Sequence, residues 1–188
     1  ELLKGKEVDG IMVEEMEKDI HRLDRITDRF SKIGSKPSLK PNNIINLTKE
    51  AVSYLQARSA KRVKIEFSSP DGIDDIILHL NKPLYEWVIE NLIRNAIDAI
   101  DGNGNIKVSL TEHAKHMRIE VQDDGKGIPQ NKQKTIFRPG YTTKSRGWGL
   151  GLSLTKRIIE EYHEGRITVS NSEMGKGTTF RIQLKKPD

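Results

Sequence analysis

The chain has 188 residues with 35% hydrophobic and 31% charged side chains, which is typical of a soluble globular protein with one full domain and a smaller unit. No apolar run reaches the roughly 18 residues of a membrane-spanning helix, and the lack of cysteine excludes disulfides and thiolate metal sites, so we expect a cytoplasmic chain without direct membrane contact. The net charge of +5 is scattered along the sequence and few aromatic residues accompany it, which argues against nucleic acid as a partner.

Residues 12–33 predict one long amphipathic helix, because apolar side chains recur there at spacings of three and four with charges between them. The apolar stripe is narrow, like a coiled-coil seam, so this helix should pack against partner helices. Residues 34–41 contain Gly34, Pro37 and Pro41 and are interpreted as a linker. We therefore expect a helical unit in residues 1–36 and a second domain in residues 37–188.

The second domain alternates helical and strand patterns. Helical periodicity covers residues 43–58, 83–100 and 150–162, and two-residue alternation marks strands at 63–67, 76–80, 106–110, 117–121, 167–169 and 180–184. Residues 124–146 lack periodicity and predict a long functional loop with room for one short helix. The pattern predicts an α+β fold, a two-layer α/β sandwich whose mixed sheet carries its helices on one face.

Asn91, Asn95 and Asp98 share one face of the helix predicted over residues 83–100, opposite the apolar side chains that would pack on the sheet. Asparagine is a poor helix former, so two of them one turn apart suggest that a ligand uses their oxygens. Mg²⁺ takes such oxygen ligands and keeps waters and phosphates as the others. A solvated polar face is the alternative interpretation.

Asp123 follows a predicted strand and precedes Gly125 and Gly127. A carboxylate at a strand end can accept a hydrogen bond from an exocyclic amine such as that of adenine, while the glycines turn the backbone beneath a ring. An ordinary Asp-Gly turn would have the same sequence.

Gly147, Gly149 and Gly151 open the helix predicted over residues 150–162. Bare N–H groups at a helix N-terminus favour an anion, so this segment predicts a phosphate site, although a flexible hinge would look the same. The loop before it supplies polar side chains that could close over phosphates as a lid, namely Thr142, Thr143, Lys144 and Arg146.

Taken in order, these segments resemble the ATP-binding domain shared by histidine kinases, gyrase, the ninety-kilodalton heat-shock chaperone and the mismatch-repair ATPases, the Bergerat fold. Residues 91–96 are similar to the asparagine box of that family, and Asp123, Gly125 and Gly127 to its first glycine box. Residues 136–144 look like the phenylalanine box with its lid, residues 147–151 like the second glycine box, and residues 177–180 like the closing strand.

The resemblance implies the cofactors ATP and Mg²⁺ and assigns roles to particular residues. Asn95 would bind Mg²⁺, Asp123 would hold the adenine amine, and Thr178 would support the adenine pocket. The full set of implied ATP-binding residues is Asn91, Asn95, Asp123, Gly125, Gly127, Ile128, Phe137, Thr142, Thr143, Lys144, Arg146, Gly147, Gly149, Leu150, Gly151 and Thr178.

Within that family the sequence favours the sensor histidine kinases of two-component systems. The chaperone, gyrase and mismatch-repair members carry a Glu one turn before the Mg²⁺-binding Asn, and here that position is Asn91, so direct hydrolysis lacks its usual base. The preceding helix would belong to a dimerising helical hairpin. Asp98 departs from the family pattern, because many members have a phosphate-reaching Lys there.

The sequence contains five histidines. His21 is a weak candidate for the phosphoacceptor, because Arg22 follows it where the family usually has an acidic residue; we expect the acceptor upstream of residue 1. The others match no metal-ligand spacing and are expected at the surface, namely His79, His113, His116 and His163.

The resulting hypothesis is the ATP-binding part of a sensor histidine kinase, which donates a phosphoryl group to a hairpin His for relay to a response regulator. It would be a homodimer through the N-terminal helix and could be the cytoplasmic part of a membrane-anchored sensor. The alternatives are an ATPase that gates a dimer and a nucleotide-binding module without catalysis.

Overall fold

A computed structural model describes residues 37–59, 62–70, 72, 75–144 and 148–187. All of these except Pro37 belong to one compact unit, Ser38–Asp188. The helix predicted over residues 12–33, the hairpin and His21 lie outside the described residues, so the division at residue 36 stays a prediction. Within the described ranges, no helix is long and apolar enough to cross a membrane.

The unit contains seven strands and three α-helices among the described residues. In chain order they are β1 Lys40–Asn43, α1 Ile44–Arg58, β2 Val63–Ser68, β3 Ile77–Leu80, α2 Lys82–Ala99, β4 Gly104–Glu112, β5 His116–Asp123, α3 Gly151–Arg157, β6 Arg166–Glu173 and β7 Gly177–Lys185. Two single 3₁₀ turns, Gln130–Lys132 and Thr135–Phe137, interrupt the long loop, and a π-helical turn, Ile158–Tyr162, extends α3. The loop was predicted to have room for one short helix, and it contains two.

Five strands form one mixed sheet in the order β2-β4-β5-β7-β6. The β2–β4 pair is parallel and the other three pairs are antiparallel, including the predicted β4–β5 hairpin. Strand β7 follows all the others in the chain and lies between β5 and β6, and its register places Thr178 opposite Asp123. The predicted two-layer α/β sandwich with a mixed sheet is confirmed.

The helices begin where the sequence provides caps and bury their apolar faces. Asn43 caps α1 and Asn81 caps α2 through their side-chain oxygens, and Pro83 lies in the first turn of α2, where its missing N–H costs nothing. The buried face of α2 includes Ile89 and Ile93, which have no exposed surface. The opposite face of α2 therefore remains for the polar residues predicted to point away from the sheet.

The linker interpretation of residues 34–41 is wrong at its C-terminal end, because Lys40 and Pro41 begin strand β1. β1 pairs antiparallel with β3 in a separate two-stranded sheet, with Pro41 opposite His79. Proline cannot donate to a ladder, and a strand at the edge of a sheet is where it is tolerated.

His163 is buried, so its predicted surface position is wrong. Its Nε2 accepts a hydrogen bond from the Asn81 amide at 3.1 Å, and its Nδ1 lies 2.9 Å from the carbonyl of Ile158. Burial lowers the pKa of His163, although the bond to Ile158 opposes that shift. The neutral ring therefore joins the π-helical turn to the start of α2.

Candidate functional site

One stripe along α2, formed by Asn91, Asn95 and Ala99, contacts three separate segments of the chain. A Cβ placed on Gly151 would lie 2.6 Å from Oδ1 of Asn91, so the start of α3 touches the first turn of the stripe. One turn later, Oδ1 of Asn95 accepts a hydrogen bond from Nζ of Lys144 at 2.8 Å. At the end of the stripe, the carbonyl of Ala99 accepts a hydrogen bond from the Lys126 amide at 3.0 Å. The predicted loop and both predicted glycine boxes therefore contact the helix that carries the predicted asparagine box.

Asp123 ends β5 as a buried carboxylate. Its Oδ1 accepts a hydrogen bond from the Gly125 amide at 3.0 Å, and the backbone of Thr178 also stabilises its charged form. Burial outweighs these bonds and raises the pKa of the Asp123 carboxyl, with Asp124 adding to the shift. A carboxylate has about four acceptor sites, so capacity remains for a further N–H donor.

The turn after Asp123 requires glycine because other backbone segments approach it closely. A Cβ on Gly125 would fall 2.6 Å from the carbonyl oxygen of Ala99. Gly127 has a φ of +76°, and its Cβ would fall 2.2 Å from the carbonyl oxygen of Glu173. The turn is thus clamped between the end of α2 and the β6–β7 connection.

Ser172 joins this turn to β7, a role that no sequence pattern indicates. Its hydroxyl accepts a hydrogen bond from the Ile128 amide at 2.8 Å, lies 2.9 Å from the hydroxyl of Thr178 and donates to the Gly177 carbonyl at 3.2 Å. Ile128 and Thr178, both predicted site residues, are therefore held by the same side chain.

The loop before α3 is closed at its neck. The Gly140 amide donates to the carbonyl of Gly149 at 3.1 Å, and Gly149 has a φ of +63°, which glycine adopts readily. Leu150 occupies the cap position of α3, and its carbonyl accepts from the amide of Leu154 and the hydroxyl of Ser153. Two further predicted site residues, Arg146 and Gly147, lie outside the described part of the chain.

The phenylalanine box packs beside the sheet. The ring of Phe137 meets that of Phe180 edge to face with centroids 6.3 Å apart, and the ammonium of Lys156 lies 5.8 Å from the Phe137 ring centre. Of the loop residues that follow, Thr142 accepts a hydrogen bond from the Lys144 amide at 3.1 Å, and Thr143 is exposed.

Lys144 also contacts Asp98, with Nζ and Oδ2 separated by 2.5 Å. Helical geometry predicts Asp98 on the same stripe as Asn95 but predicts no partner for it, because a pairing with a loop 46 residues further on leaves no local pattern. The same holds for Asn91, whose amide donates to the buried hydroxyl of Thr155 at 2.9 Å. Among the described residues, no group of three His, Asp or Glu side chains converges as a metal site.

Comparisons with known proteins agree with this geometry. Residues 80–188 match the family model described as histidine kinase-, DNA gyrase B- and HSP90-like ATPase. Sensor histidine kinase ZraS of Escherichia coli (strain K12) is 34% identical over 175 residues, which cover 90% of this chain and 36% of that protein. The chain thus spans little more than a third of the length of this relative.

Two solved structures show the same architecture. The catalytic domain of histidine kinase ThkA is 30% identical, with a TM-score of 0.70, and the match covers 79% of this chain and 95% of that chain. Histidine kinase ThkA in complex with response regulator protein TrrA is 26% identical, with a TM-score of 0.71, over 90% of this chain and 49% of that chain. Since the family model matches more than half of its residues, the chain belongs to the histidine kinase-, DNA gyrase B- and HSP90-like ATPase family.

Proposed function

We propose that this chain binds ATP with Mg²⁺ and is the phosphoryl-donor part of a sensor histidine kinase. The observation that carries the proposal is the stripe of α2 along which Asn91, Asn95 and Ala99 meet three separate segments of the chain. A nucleotide needs an adenine pocket, a cation site and phosphate ligands within its own length, and this stripe brings candidates for all three onto one helix face. The kinase names of the relatives support the same assignment.

At the adenine end, Asp123 would accept a hydrogen bond from the exocyclic amine. The carboxylate is buried, so an adenine that reaches it meets little competing water. Thr178 lies opposite Asp123 on β7, and its hydroxyl is oriented by Ser172. Gly125 and Gly127 hold the backbone turn beneath this point, and Ile128 with Phe137 would supply apolar surface.

At the phosphate end, Asn95 would hold Mg²⁺ through its side-chain oxygen. That oxygen accepts a hydrogen bond from a lysine ammonium, which shows that it is accessible to a cation. Mg²⁺ takes few protein ligands and completes its shell with phosphates and water, so a single amide oxygen fits it. When bound, the ion would neutralise charge that develops on the phosphates.

The surrounding segments would orient the phosphates. Thr142, Thr143, Lys144 and Arg146 would supply donors, with the backbone amides between Gly147 and Gly151. In the transfer, the bond between the γ-phosphorus and its bridging oxygen breaks, a phosphorus–nitrogen bond to the acceptor His forms, and ADP leaves with the bridging oxygen. The contribution of this chain is positioning and electrostatic stabilisation.

Asn91 favours phosphoryl transfer over hydrolysis by a dimer-gating ATPase. Its amide is committed to Thr155 on α3, and its oxygen lies against Gly151, so the side chain serves to pack two elements. An amide also cannot act as a general base towards water. Slow or absent ATP hydrolysis by the isolated chain is therefore expected.

The partners follow from the same proposal. The acceptor His would lie on the dimerisation hairpin, upstream of this chain, and the phosphoryl group would pass to the receiver domain of a response regulator, as the ThkA complex suggests. We further propose a cytoplasmic homodimer assembled through the helix predicted over residues 12–33.

Calorimetric titration with MgADP tests the adenine end. Asp123→Asn should lower the affinity at least tenfold and reduce the preference for ADP over GDP, because the amide cannot accept as a carboxylate does. Asp124→Asn is the matched control, since Asp124 is exposed and binds Asn105 instead. Equal affinity in both variants and the unmodified chain would exclude Asp123 from the nucleotide site.

Titrations with and without Mg²⁺ test the phosphate end. Asn95→Ala should remove most of the gain in affinity that Mg²⁺ gives, whereas Asn46→Ala, an exposed asparagine on α1, should keep it. Incubation with γ-labelled ATP should leave the chain itself unlabelled, because we expect no acceptor within it. Label on His21 would contradict that expectation, and rapid release of labelled phosphate would favour the ATPase alternative.

A further inference from the structure

The ammonium group of Lys144 contacts oxygen atoms of two residues of α2. Its Nζ lies 2.8 Å from Oδ1 of Asn95 and 2.5 Å from Oδ2 of Asp98. Asn95 and Asp98 are three residues apart on a helix and therefore project from the same face. The ammonium thus contacts the same oxygen that, on the proposed function, holds Mg²⁺.

The Lys144 ammonium and Mg²⁺ would repel each other if both contacted Oδ1 of Asn95. A Mg²⁺ ion coordinated by Asn95 lies about 2.1 Å from Oδ1, so an ammonium hydrogen-bonded to the same atom would stand within about 5 Å of it. Both centres are positive, and they would repel each other across the one neutral oxygen that both contact. Binding of the metal with its nucleotide therefore requires Lys144 to leave Asn95.

Asp98 determines how strongly Lys144 is held beside Asn95. Asn95 offers only a neutral oxygen, whereas Asp98 adds a carboxylate with a short, charge-assisted contact. Both side chains are partly exposed, 41% for Lys144 and 51% for Asp98, so water screens the pair and its attraction is weak. An interaction of that size can hold the loop when no nucleotide is bound and still be displaced when nucleotide arrives.

We propose that Asp98 is a positioning residue that retains Lys144 on Asn95 in the nucleotide-free chain, so that Lys144 and Mg²⁺ occupy Asn95 in turn. The inference rests on the proposed function, because it assigns the metal to Asn95. Asp98 acts here through Lys144 alone and makes no contact with the nucleotide. Nucleotide affinity is then lower than the site could give, since part of the binding free energy goes into separating the pair.

A double-mutant cycle on MgADP affinity tests this inference, measured by calorimetry on the full chain. Asp98→Asn keeps the shape of the side chain and removes its charge, and it should raise MgADP affinity about two- to fivefold, the factor that corresponds to a pair worth roughly 0.4–1 kcal/mol. In a Lys144→Met background the same substitution should change affinity by less than a factor of about 1.5, because its partner is gone.

The other outcomes overturn the inference. A fall in affinity on Asp98→Asn in both backgrounds would mean that Asp98 attracts the metal directly. No change in either background would mean that the pair has no effect on binding. If the unmodified chain bound no MgADP at all, the proposed function would fail and take this inference with it, whereas binding without coupling between the two residues rejects this inference alone.

The salt dependence of MgADP affinity gives a second test, because a purely structural role of Asp98 would not depend on salt. Raising the salt concentration from 0.05 to 0.5 M screens an exposed ion pair. The ratio between the affinities of the Asp98→Asn variant and the unmodified chain should therefore fall towards one. A ratio independent of salt would contradict the proposed electrostatic retention.

Discussion

The side-chain amide of Asn91 donates a hydrogen bond to the hydroxyl of Thr155 across 2.9 Å and so joins α2 to α3. Thr155 is fully buried. Thr155→Val keeps the shape of the side chain but leaves the amide without its acceptor, and we expect a loss of about 1–2 kcal/mol in the free energy of unfolding. Urea denaturation would measure it. Thr111→Val, at an exposed position on β4, is the control, and an equal effect of the two changes would contradict the role of the bond.

Gly127 and Gly175 form a matched pair for testing how closely the backbone of Glu173 approaches the turn at Gly127. Their φ angles are +76° and +75°, so an alanine suffers the same backbone strain of about 1–2 kcal/mol at either position. A Cβ at Gly175 meets nothing within 4 Å, whereas at Gly127 it would lie 2.2 Å from the Glu173 carbonyl oxygen. Gly127→Ala should therefore destabilise the chain by at least about 2 kcal/mol more than Gly175→Ala in thermal or urea unfolding. Similar losses would show that the turn can shift freely.

The buried carboxyl of Asp123 should make stability depend on pH in a defined direction. Burial raises the folded pKa above the unfolded value of about 3.9, so the folded chain binds the proton more tightly. The stabilisation is complete below the unfolded pKa and is lost as pH rises through the folded one. Relative to Asp123→Asn, the unmodified chain should lose stability as pH rises from about 4. Parallel pH profiles would contradict this.

His163 should produce the opposite dependence. Burial lowers its pKa in the folded chain, so its contribution is complete above the unfolded pKa of about 6.5 and declines as pH falls towards the folded value. Replacing it with glutamine should remove that decline below about pH 6.5, as followed by denaturant unfolding. His79→Gln, at an exposed position on β3, should keep the profile of the unmodified chain. If both variants behaved alike, the acid sensitivity would arise elsewhere.

Local patterns were sufficient to predict most of the fold. Helical periodicity in residues 43–58 and 83–100, and strict alternation on β4, β5 and β7, are properties of short segments, and the structure has these elements where they were expected. The polar stripe on α2 was also predictable, because helical geometry alone places Asn91 and Asn95 on one face.

The missed features all depend on residues far apart in the chain. β1 is a strand because it pairs with β3, and Pro41 conceals it from any propensity argument. Burial of His163 depends on a contact with Asn81, 82 residues away, and Ser172 reaches Ile128 across 44. Likewise, the contact between Lys144 and Asp98 requires knowing where the loop lies, which no periodicity encodes.

The position of β7 has a consequence for how the domain assembles. This strand comes after every other described element, yet it fills the gap between β5 and β6 and carries Thr178 to Asp123. Until it is synthesised and docked, β6 lacks the strand with which it pairs, and the proposed adenine site lacks Thr178. Ribosome-bound intermediates that lack residues 177–185 should therefore be unable to retain nucleotide, and competence should arise in a single late step of biogenesis.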